Sequence, residues 1–238
     1  MEDVLIYTYK KPTFKILPRS INQKDWIIRS IESARKAGYS IIELYTDDEN
    51  FAQDLDVNKT HFINDDYSIW DSFKLWVLEN RKDTNYILTD NDVIFNKKIE
   101  FDNLVDISFD AIEDHNWDWA YKPLMDYLKT NKIFDSIPFW NYEKLDVLNV
   151  GILKINNDEL RVDYINYWKE LYKLAEPYFK NIDIKSLTPI LTQYLLSILV
   201  YNKNYKSEHF TLNHGWPLNN KYYQHYPGRL KLKKTQLI

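Results

Sequence analysis

The segment at residues 86–95 constrains the fold of this chain more than any other. It reads Tyr-Ile-Leu-Thr-Asp-Asn-Asp-Val-Ile-Phe, so two carboxylates, Asp90 and Asp92, separate two apolar runs. The first run is short, continuous and β-rich, as expected for a strand buried on both faces of a sheet. Unpaired carboxylates beside a core are costly, and a divalent cation held by their oxygens removes that cost. The segment therefore predicts an interior strand ending in a magnesium or manganese site; a solvated turn is the alternative.

Composition limits the class of protein. The chain has 238 residues, 45% of them hydrophobic, which is enough for one α/β domain with a sizeable core. It contains no cysteine, which excludes disulfides and fits a reducing compartment, and its net charge of −4 gives no general attraction to nucleic acid. The N-terminus lacks signal-peptide features, and the apolar stretch at 194–201 is too short to span a membrane. We therefore expect a cytoplasmic protein without a transmembrane segment.

Strand-like and helix-like segments alternate along the first half of the chain. Short β-rich runs are expected to form strands, and apolar residues at helical spacing are expected to form the helices between them. This alternation predicts an α/β fold with a mostly parallel central sheet, right-handed crossovers and flanking helices. The predicted strands are 4–9, 40–45, 60–63, 86–89, 107–112 and 147–155, and the predicted helices are 25–36, 68–80, 119–128, 158–178 and 187–201.

Polar residues stand at the ends of three predicted strands. Tyr7 to Tyr9 close the first, Asp47 follows the second, and Asp90 and Asp92 follow the fourth. Ligands of parallel sheets bind at the carboxyl ends of strands, so we expect a nucleotide there, with its base and ribose near Tyr7, Thr8 and Asp47. For Asp47, the residue type favours an Asx turn or a helix cap over a nucleotide contact.

The C-terminal region contains residues whose chemistry complements these acids. His225, Gly228 and Lys231 follow one another at intervals of three. A neutral imidazole can complete a manganese shell, glycine lets backbone approach a phosphate, and lysine supplies a point charge for a diphosphate oxygen. Taken alone, the spacing is common, and a surface histidine and a solvated lysine are the alternatives.

With these residues the chain resembles the GT-A-fold glycosyltransferases, which use nucleotide-sugar donors. Asp90 and Asp92 resemble their DXD motif, and His225, Gly228 and Lys231 resemble the His-x-x-Gly-x-x-Lys motif of the glycogenin-like branch. The resemblance implies that His225 binds the metal and that Lys231 binds the donor diphosphate. No Pro-Trp follows Lys231, which departs from that branch.

Other positions extend the resemblance. Asn149 and Gly151 resemble an Asn-x-Gly in the strand beneath the donor sugar, although a structural bulge is an alternative. Thr46-Asp47 resembles a Thr-Asp after the second strand, and Trp70 and Lys74 resemble a Trp-x-x-x-Lys on the helix before DXD, where a solvated helix surface is the alternative. Gln193 resembles the second residue of a Glu-Gln pair, whose first position is Thr192 here.

Together these features predict one GT-A-like domain over residues 1–238. Residues 1–105 would form the nucleotide-binding half, and 106–238 the acceptor-side half with the C-terminal metal and diphosphate motif. With Mn²⁺ or Mg²⁺, it would move a sugar from a UDP-type or GDP-type donor to a glycan or other hydroxyl acceptor in glycan or polysaccharide synthesis. Similarity to the His-Gly-Lys motif favours retention, and an inverting enzyme would need a carboxylate base. The candidates for that base are Glu113, Asp114, Asp118 and Asp146.

Three other classes fit parts of the pattern. A sugar-nucleotide pyrophosphorylase needs a glycine-rich loop after the first strand, but the first glycine here is Gly38. An aspartate-nucleophile phosphatase needs its Asp-x-Asp on the first strand, followed by Thr or Val where Ile94 stands here. A carbohydrate-binding or degenerate transferase module is compatible with the 16% aromatic content and with Thr192.

Overall fold

The computed structural model of the chain describes residues 3–11, 23–69, 71–113, 121–211 and 218–226. The elements of these segments follow an order of strands and helices typical of an α/β domain. The strands are β1 (Val4–Tyr9), β2 (Ile42–Thr46), β3 (Lys59–Phe62), β4 (Tyr86–Thr89), β5 (Val93–Phe95), β6 (Ile107–Glu113), β7 (Val147–Ile155), β8 (Ser207–Thr211), β9 (Leu218–Asn219) and β10 (Tyr223–His225). The α-helices are α1 (Gln23–Ala37), α2 (Glu49–Ala52), α3 (Ser72–Asn80), α4 (Lys122–Thr130), α5 (Asp158–Ala175), α6 (Ile184–Pro189) and α7 (Leu195–Lys203).

The central sheet has the strand order β3-β2-β1-β4-β7-β6-β8. The pairs β2–β3, β1–β2 and β1–β4 are parallel, whereas β7 runs antiparallel to both β4 and β6. Every residue of β4 and of β7 is buried, as expected for strands covered by helices on both faces. The expected single-domain, mostly parallel α/β fold with flanking helices is confirmed.

Two apolar clusters cover the two faces of the sheet. The larger joins α3, α5 and α7 to one face, and the smaller joins α1 to the other. Helix α1 buries Trp26, Ile27, Ile31 and Ala34, the stripe that its helical spacing predicted. The helix ends at Gly38, whose φ of +101° suits glycine better than any other residue.

A second, three-stranded sheet of order β5-β10-β9 was not predicted. Strand β5 is the second apolar run of the 86–95 segment, and β10 pairs with it antiparallel, with Tyr223 opposite Phe95 and His225 opposite Val93. This small sheet joins the C-terminal region to the segment that contains the two acids.

The later helices differ from expectation in their bounds. Helix α4 begins at Lys122 with Pro123 in its first turn, where the missing backbone N–H costs nothing. The predicted helix at 187–201 belongs to a continuous one, Ile184–Lys203, in which a π-helical turn, Ile190–Tyr194, joins α6 to α7.

The helix Ile184–Lys203 is long and apolar enough, by length and composition alone, to cross a membrane. The apolar stretch at 194–201 therefore belongs to a longer apolar helix than its sequence pattern predicted. Of its most apolar stretch, 67% is buried inside the fold, and Leu195, Leu196 and Leu199 belong to the larger cluster. Packing within the domain therefore accounts for its apolar character.

Candidate active site

The two acids of the 86–95 segment lie in the turn between β4 and β5. Because β4 pairs with β7, the backbone N–H of Asp90 donates to the carbonyl of Gly151 at 2.8 Å. Because β5 pairs with β10, the carbonyl of Asp92 accepts from the N–H of Tyr226 at 3.1 Å. The turn is thus held from both sheets, and its carboxylates occupy the carboxyl end of β4, where parallel sheets bind ligands.

The pairing of β10 with β5 brings His225 to these carboxylates. Its Nε2 lies 3.2 Å from Asp92 Oδ1 and 3.7 Å from Asp90 Oδ2. One potential ligand atom from each of the three residues lies within 4.8 Å of the others. His225 and Asp92 are buried, whereas a quarter of the Asp90 side chain is exposed, so the cluster opens towards solvent on the Asp90 side. Two carboxylates and an imidazole suit Mn²⁺ or Mg²⁺ and leave room for further oxygen ligands.

The other nitrogen of the His225 ring faces a carboxylate that the sequence argument did not identify. Nδ1 lies 2.5 Å from Oδ2 of Asp110, which is fully buried in the middle of β6. Burial lowers the pKa of His225, but the carboxylates of Asp110 and Asp92 outweigh it and hold the pKa well above its usual range. The sequence feature that could have identified Asp110 is its position inside the apolar run 107–112, because a buried acid needs a partner.

Gly151 makes this close contact sterically possible. A Cβ at position 151 would lie 2.7 Å from His225 Nδ1 and 2.9 Å from Asp110 Oδ2, closer than real Cβ atoms approach other atoms. The ladder between β6 and β7 is irregular here, since Phe109 pairs with Leu153 but Ala111 pairs with Asn149. Asp110 therefore faces the extra residues of a bulge in β7. The bulge alternative for Asn149 and Gly151 is thus observed, and Gly151 packs under the imidazole.

A buried lysine neutralises the acids from the other side. The Nζ atom of Lys74, on α3, contacts Asp90 Oδ1, lies 3.8 Å from Asp71 Oδ1 and donates to the carbonyl of Val150 at 3.1 Å. Burial lowers the pKa of Lys74, but Asp71 and Asp90 more than offset this and leave it raised. Burial also raises the pKa of Asp71 to about 6, against the opposing effect of Lys74. The solvated alternative for Lys74 is therefore wrong, and Asp71 is a second acid that sequence reasoning missed.

A polar chain extends from β7 to the π-helical turn. The amide nitrogen of Asn149 donates to Glu113 Oε1 at 2.5 Å, and the amide oxygen accepts from the N–H of Gly151 at 2.8 Å. The Tyr121 hydroxyl lies 3.1 Å from Glu113 Oε2 and 2.6 Å from Gln193 Oε1. Asn149 thus links Glu113 to the backbone beside His225. Thr192, in the position of the missing Glu, is buried and donates to the Thr188 carbonyl of its own helix at 2.8 Å.

The residues expected around the base and ribose separate into two groups. Thr8 is half-buried, and its carbonyl accepts from Asn91 Nδ2 at 3.3 Å, which places it beside the acidic turn. Asp47 is exposed, and its Oδ1 accepts from the N–H of Lys11 at 2.7 Å; the helix cap is its neighbour Asp48. Tyr7 is a correction, because its side chain is fully buried in the cluster under α1, with its hydroxyl 2.7 Å from Ser30 Oγ.

The remaining candidates lie elsewhere. Asp146 is exposed, and its charge adds to the burial that raises the pKa of Tyr201, on α7, to about 12. The structure therefore does not place it against the acids and His225. Four predicted positions lie outside the described residues: Asp114, Asp118, Gly228 and Lys231. Trp70 is outside them as well.

Comparison with known proteins identifies the fold. No protein-family model and no curated protein matches the chain. Among solved structures, the galactosyltransferase LgtC, in complex with donor and acceptor sugar analogues, aligns with a TM-score of 0.50 at 11% identity over 87% of this chain and 73% of LgtC. The glycosyltransferase GlyE of Streptococcus pneumoniae TIGR4 aligns with a TM-score of 0.45 at 13% identity over 87% of this chain and 45% of GlyE. The chain has a GT-A-type glycosyltransferase fold.

Within this GT-A fold, the acidic turn, His225 and Thr8 share the carboxyl-end edge of the central sheet. The edge combines a cluster of acids able to hold a divalent cation with one buried lysine already bound to Asp90. Such an arrangement can bind a metal-chelated diphosphate and can stabilise negative charge that develops on it. The polar chain from Asn149 to Gln193 adds hydrogen-bonding groups on the β7 side of the same edge.

Proposed function

We propose that this protein is a metal-dependent glycosyltransferase that moves a sugar from a nucleoside-diphosphate donor to an acceptor hydroxyl. The observation that carries the proposal is the convergence of Asp90, Asp92 and His225 within 4.8 Å at the carboxyl-end edge of a GT-A-type sheet. His225 is more than a hundred residues from the two acids in sequence. Asp92 is buried beside the imidazole and Asp90 is partly buried, and a bound cation would offset the cost of removing these carboxylates from water.

Asp92 and His225, helped by Asp90, would hold Mn²⁺ or Mg²⁺. When bound, the cation supplies a Lewis acid for the charge that develops on the leaving diphosphate. Lys74 fixes one oxygen of Asp90, so the other oxygen remains directed towards His225. Gly228 and Lys231 would approach the diphosphate, as the His-x-x-Gly-x-x-Lys resemblance implies, with lysine as a point charge.

The donor would lie along the edge formed by β1, β2 and β4. Thr8 and Asp47 are the polar residues at the ends of β1 and β2, and Asn91 ties Thr8 to the acidic turn. A base and ribose of the uridine or guanosine type would rest there, one strand away from the metal ligands. The LgtC structure holds donor and acceptor sugar analogues, which supports a sugar acceptor for this fold.

Glu113 is the catalytic candidate that the geometry favours for the acceptor side. Its carboxylate accepts a hydrogen bond from Asn149, and Asn149 accepts one from the backbone N–H of Gly151 beneath His225. These two hydrogen bonds fix the orientation of the Glu113 carboxylate relative to His225. An oriented carboxylate can accept a proton from an attacking hydroxyl or can hydrogen-bond the sugar. The resemblance to the glycogenin-like motif favours retention, and in a retaining enzyme Glu113 would hydrogen-bond the sugar. A cytoplasmic role in glycan or polysaccharide synthesis completes the proposal.

The test combines nucleotide binding with donor hydrolysis. Calorimetry with UDP and with GDP, with and without Mn²⁺, should show binding that requires the metal, and a screen of nucleotide sugars with Mn²⁺ should identify one hydrolysed donor. Asp92→Asn should abolish both signals with an unchanged circular dichroism spectrum. Asp126→Asn, at an exposed acid on α4, is the matched control and should retain both.

Two outcomes would overturn the proposal. Binding of glycans without any binding of nucleotide would instead support a carbohydrate-binding module. Full donor hydrolysis by Asp92→Asn would show that the acidic cluster is not the metal site. The anomeric configuration of the transfer product, read by NMR, then decides between retention and inversion.

A further inference from the structure

Asp110 is a fully buried carboxylate with both oxygens engaged by the C-terminal strand β10. Its Oδ1 accepts from the Tyr223 hydroxyl at 2.5 Å, and its Oδ2 lies 2.5 Å from His225 Nδ1. A carboxylate accepts hydrogen bonds, so Nδ1 of His225 carries a proton and donates it to Asp110. The two donors come from alternate residues of one strand, whose side chains point to the same side.

The remaining ring nitrogen, Nε2, points towards the acidic turn, 3.2 Å from Asp92 Oδ1 and 3.7 Å from Asp90 Oδ2. A neutral imidazole carries one proton, so a proton kept on Nδ1 leaves the lone pair of Nε2 available to a metal ion. Metal-bound histidines commonly donate their other N–H to a carboxylate, which fixes the ring orientation and raises the basicity of the ligand.

We propose that Asp110 is the positioning residue of this site, which holds His225 in its metal-binding tautomer and orientation while Tyr223 holds Asp110. The inference rests on the proposed function, because it presumes a cation at Asp90, Asp92 and His225. Asp110 is not itself a ligand in this arrangement, since the imidazole ring lies between its carboxylate and the other two.

The surrounding backbone is shaped to allow this contact. The bulge in β7 opposite Asp110 places Gly151, which has no side chain, where any Cβ would collide with His225 and Asp110. A buried Asp–His pair that served only to balance charge would not need a bulge, a glycine and a second donor to fix its orientation.

The test measures Mn²⁺ affinity and the His225 tautomer in the full chain. Asp110→Asn should weaken Mn²⁺ binding about 10- to 100-fold, measured by electron paramagnetic resonance of free Mn²⁺. Ser108→Ala, at another buried position of β6 whose hydroxyl bonds Glu208 instead, is the control and should bind Mn²⁺ like the wild type. Tyr223→Phe should give a smaller loss, because it frees Asp110 without removing its bond to His225.

A measurement on the wild type removes dependence on how the variants fold. In the Mg²⁺-loaded protein, ¹⁵N NMR should show His225 protonated at Nδ1 and unprotonated at Nε2. The opposite tautomer overturns the inference, as does an Asp110→Asn protein that folds and binds Mn²⁺ like the wild type while Asp92→Asn does not. A wild-type protein that binds no Mn²⁺ at all overturns the proposed function instead, so the two failures are distinguishable.

Discussion

His225 lies directly opposite Val93 in the antiparallel ladder between β10 and β5. Through this one pairing, an imidazole from the C-terminal region reaches two acids that follow β4. The site therefore depends on a small sheet that stands apart from the central one.

Binding of Mn²⁺ should tighten as pH rises. Asp110 and Asp92 hold the pKa of His225 well above its usual range against the effect of burial, which favours the charged ring in the metal-free protein. A metal ion must displace one proton from Nε2, so affinity should rise about tenfold per pH unit below that pKa. Calorimetry in buffers with different heats of ionisation should show proton release. A flat affinity profile and no proton release would contradict this assignment.

The metal-free protein should lose stability as pH rises through two windows. A raised folded-state pKa of His225 contributes stability that is complete below about pH 6.5 and is lost as pH rises through the folded value. Burial raises the pKa of Asp71 to about 6, so the folded state keeps a proton that the unfolded state has already lost. The stability that Asp71 contributes is therefore also lost as pH rises, in a window that ends near pH 6. Urea unfolding in EDTA across this range should show the decline, and Mn²⁺ should reduce the part due to His225. Stability that rises with pH above 6.5 would contradict it.

Lys74→Met should destabilise the protein by about 3–5 kcal/mol in EDTA, because it leaves the buried Asp71 and the partly buried Asp90 without their cation. The loss should be smaller with Mn²⁺, which supplies positive charge to the same acids. Lys169→Met is the control, because Lys169 and Glu79 form an exposed pair with side chains 36% and 43% accessible, and should cost at most about 1 kcal/mol. Urea unfolding measures both, and equal losses in the two variants would contradict a buried role for Lys74.

Gly151→Ala should displace the His225 ring, because the added methyl group would lie 2.7 Å from Nδ1. We expect a cost of about 1–3 kcal/mol from overpacking and a loss of at least roughly tenfold in Mn²⁺ affinity. Ile152→Val, at the next buried position of β7, should cost about 1 kcal/mol and leave Mn²⁺ affinity unchanged. If Gly151→Ala keeps the wild-type Mn²⁺ affinity, the glycine does not support the histidine.

Glu113→Gln should lower the rate of sugar transfer by about 100-fold while Mn²⁺ affinity stays unchanged. The carboxylate is oriented by Asn149 and Tyr121 but lies outside the cluster of Asp90, Asp92 and His225. Asp146→Asn, at the exposed acid beside Tyr201, should transfer sugar at the wild-type rate. If Asp146→Asn slowed sugar transfer and Glu113→Gln did not, Asp146, just before β7, would be the residue on the acceptor side instead.

Local patterns predicted much of the central sheet and little of the small one. Strand β7 was predicted over its full length from an apolar run that Asn149 and Gly151 interrupt, and all nine of its residues are buried. Strands β9 and β10 contain only two and three residues, and their pairing is entirely non-local, so no local pattern reveals them. The π-helical turn in Ile184–Lys203 likewise leaves no distinct periodicity in a helix that is apolar on most sides.

Two site residues illustrate what local sequence cannot show. Tyr7 was expected near the nucleotide because it stands near the end of β1. Successive strand residues face opposite sides of the sheet, however, and the side chain of Tyr7, like that of Leu5, lies on the face that α1 covers. Asp110 was missed because its partners, Tyr223 and His225, are more than a hundred residues away. A buried acid in a strand signals that a partner exists without identifying it.

The ladder between β5 and β10 also fixes the order in which the site can form. As the chain leaves the ribosome, both acids and their supporting lysine emerge long before His225, the last of the proposed ligands, since β10 follows every helix in the described residues. A nascent domain with its seven-stranded sheet already paired would still lack the nitrogen that we propose coordinates the cation. Under the proposed function, a chain could bind the ion only after its synthesis has passed residue 225, and partial translation products should have no competent ion site.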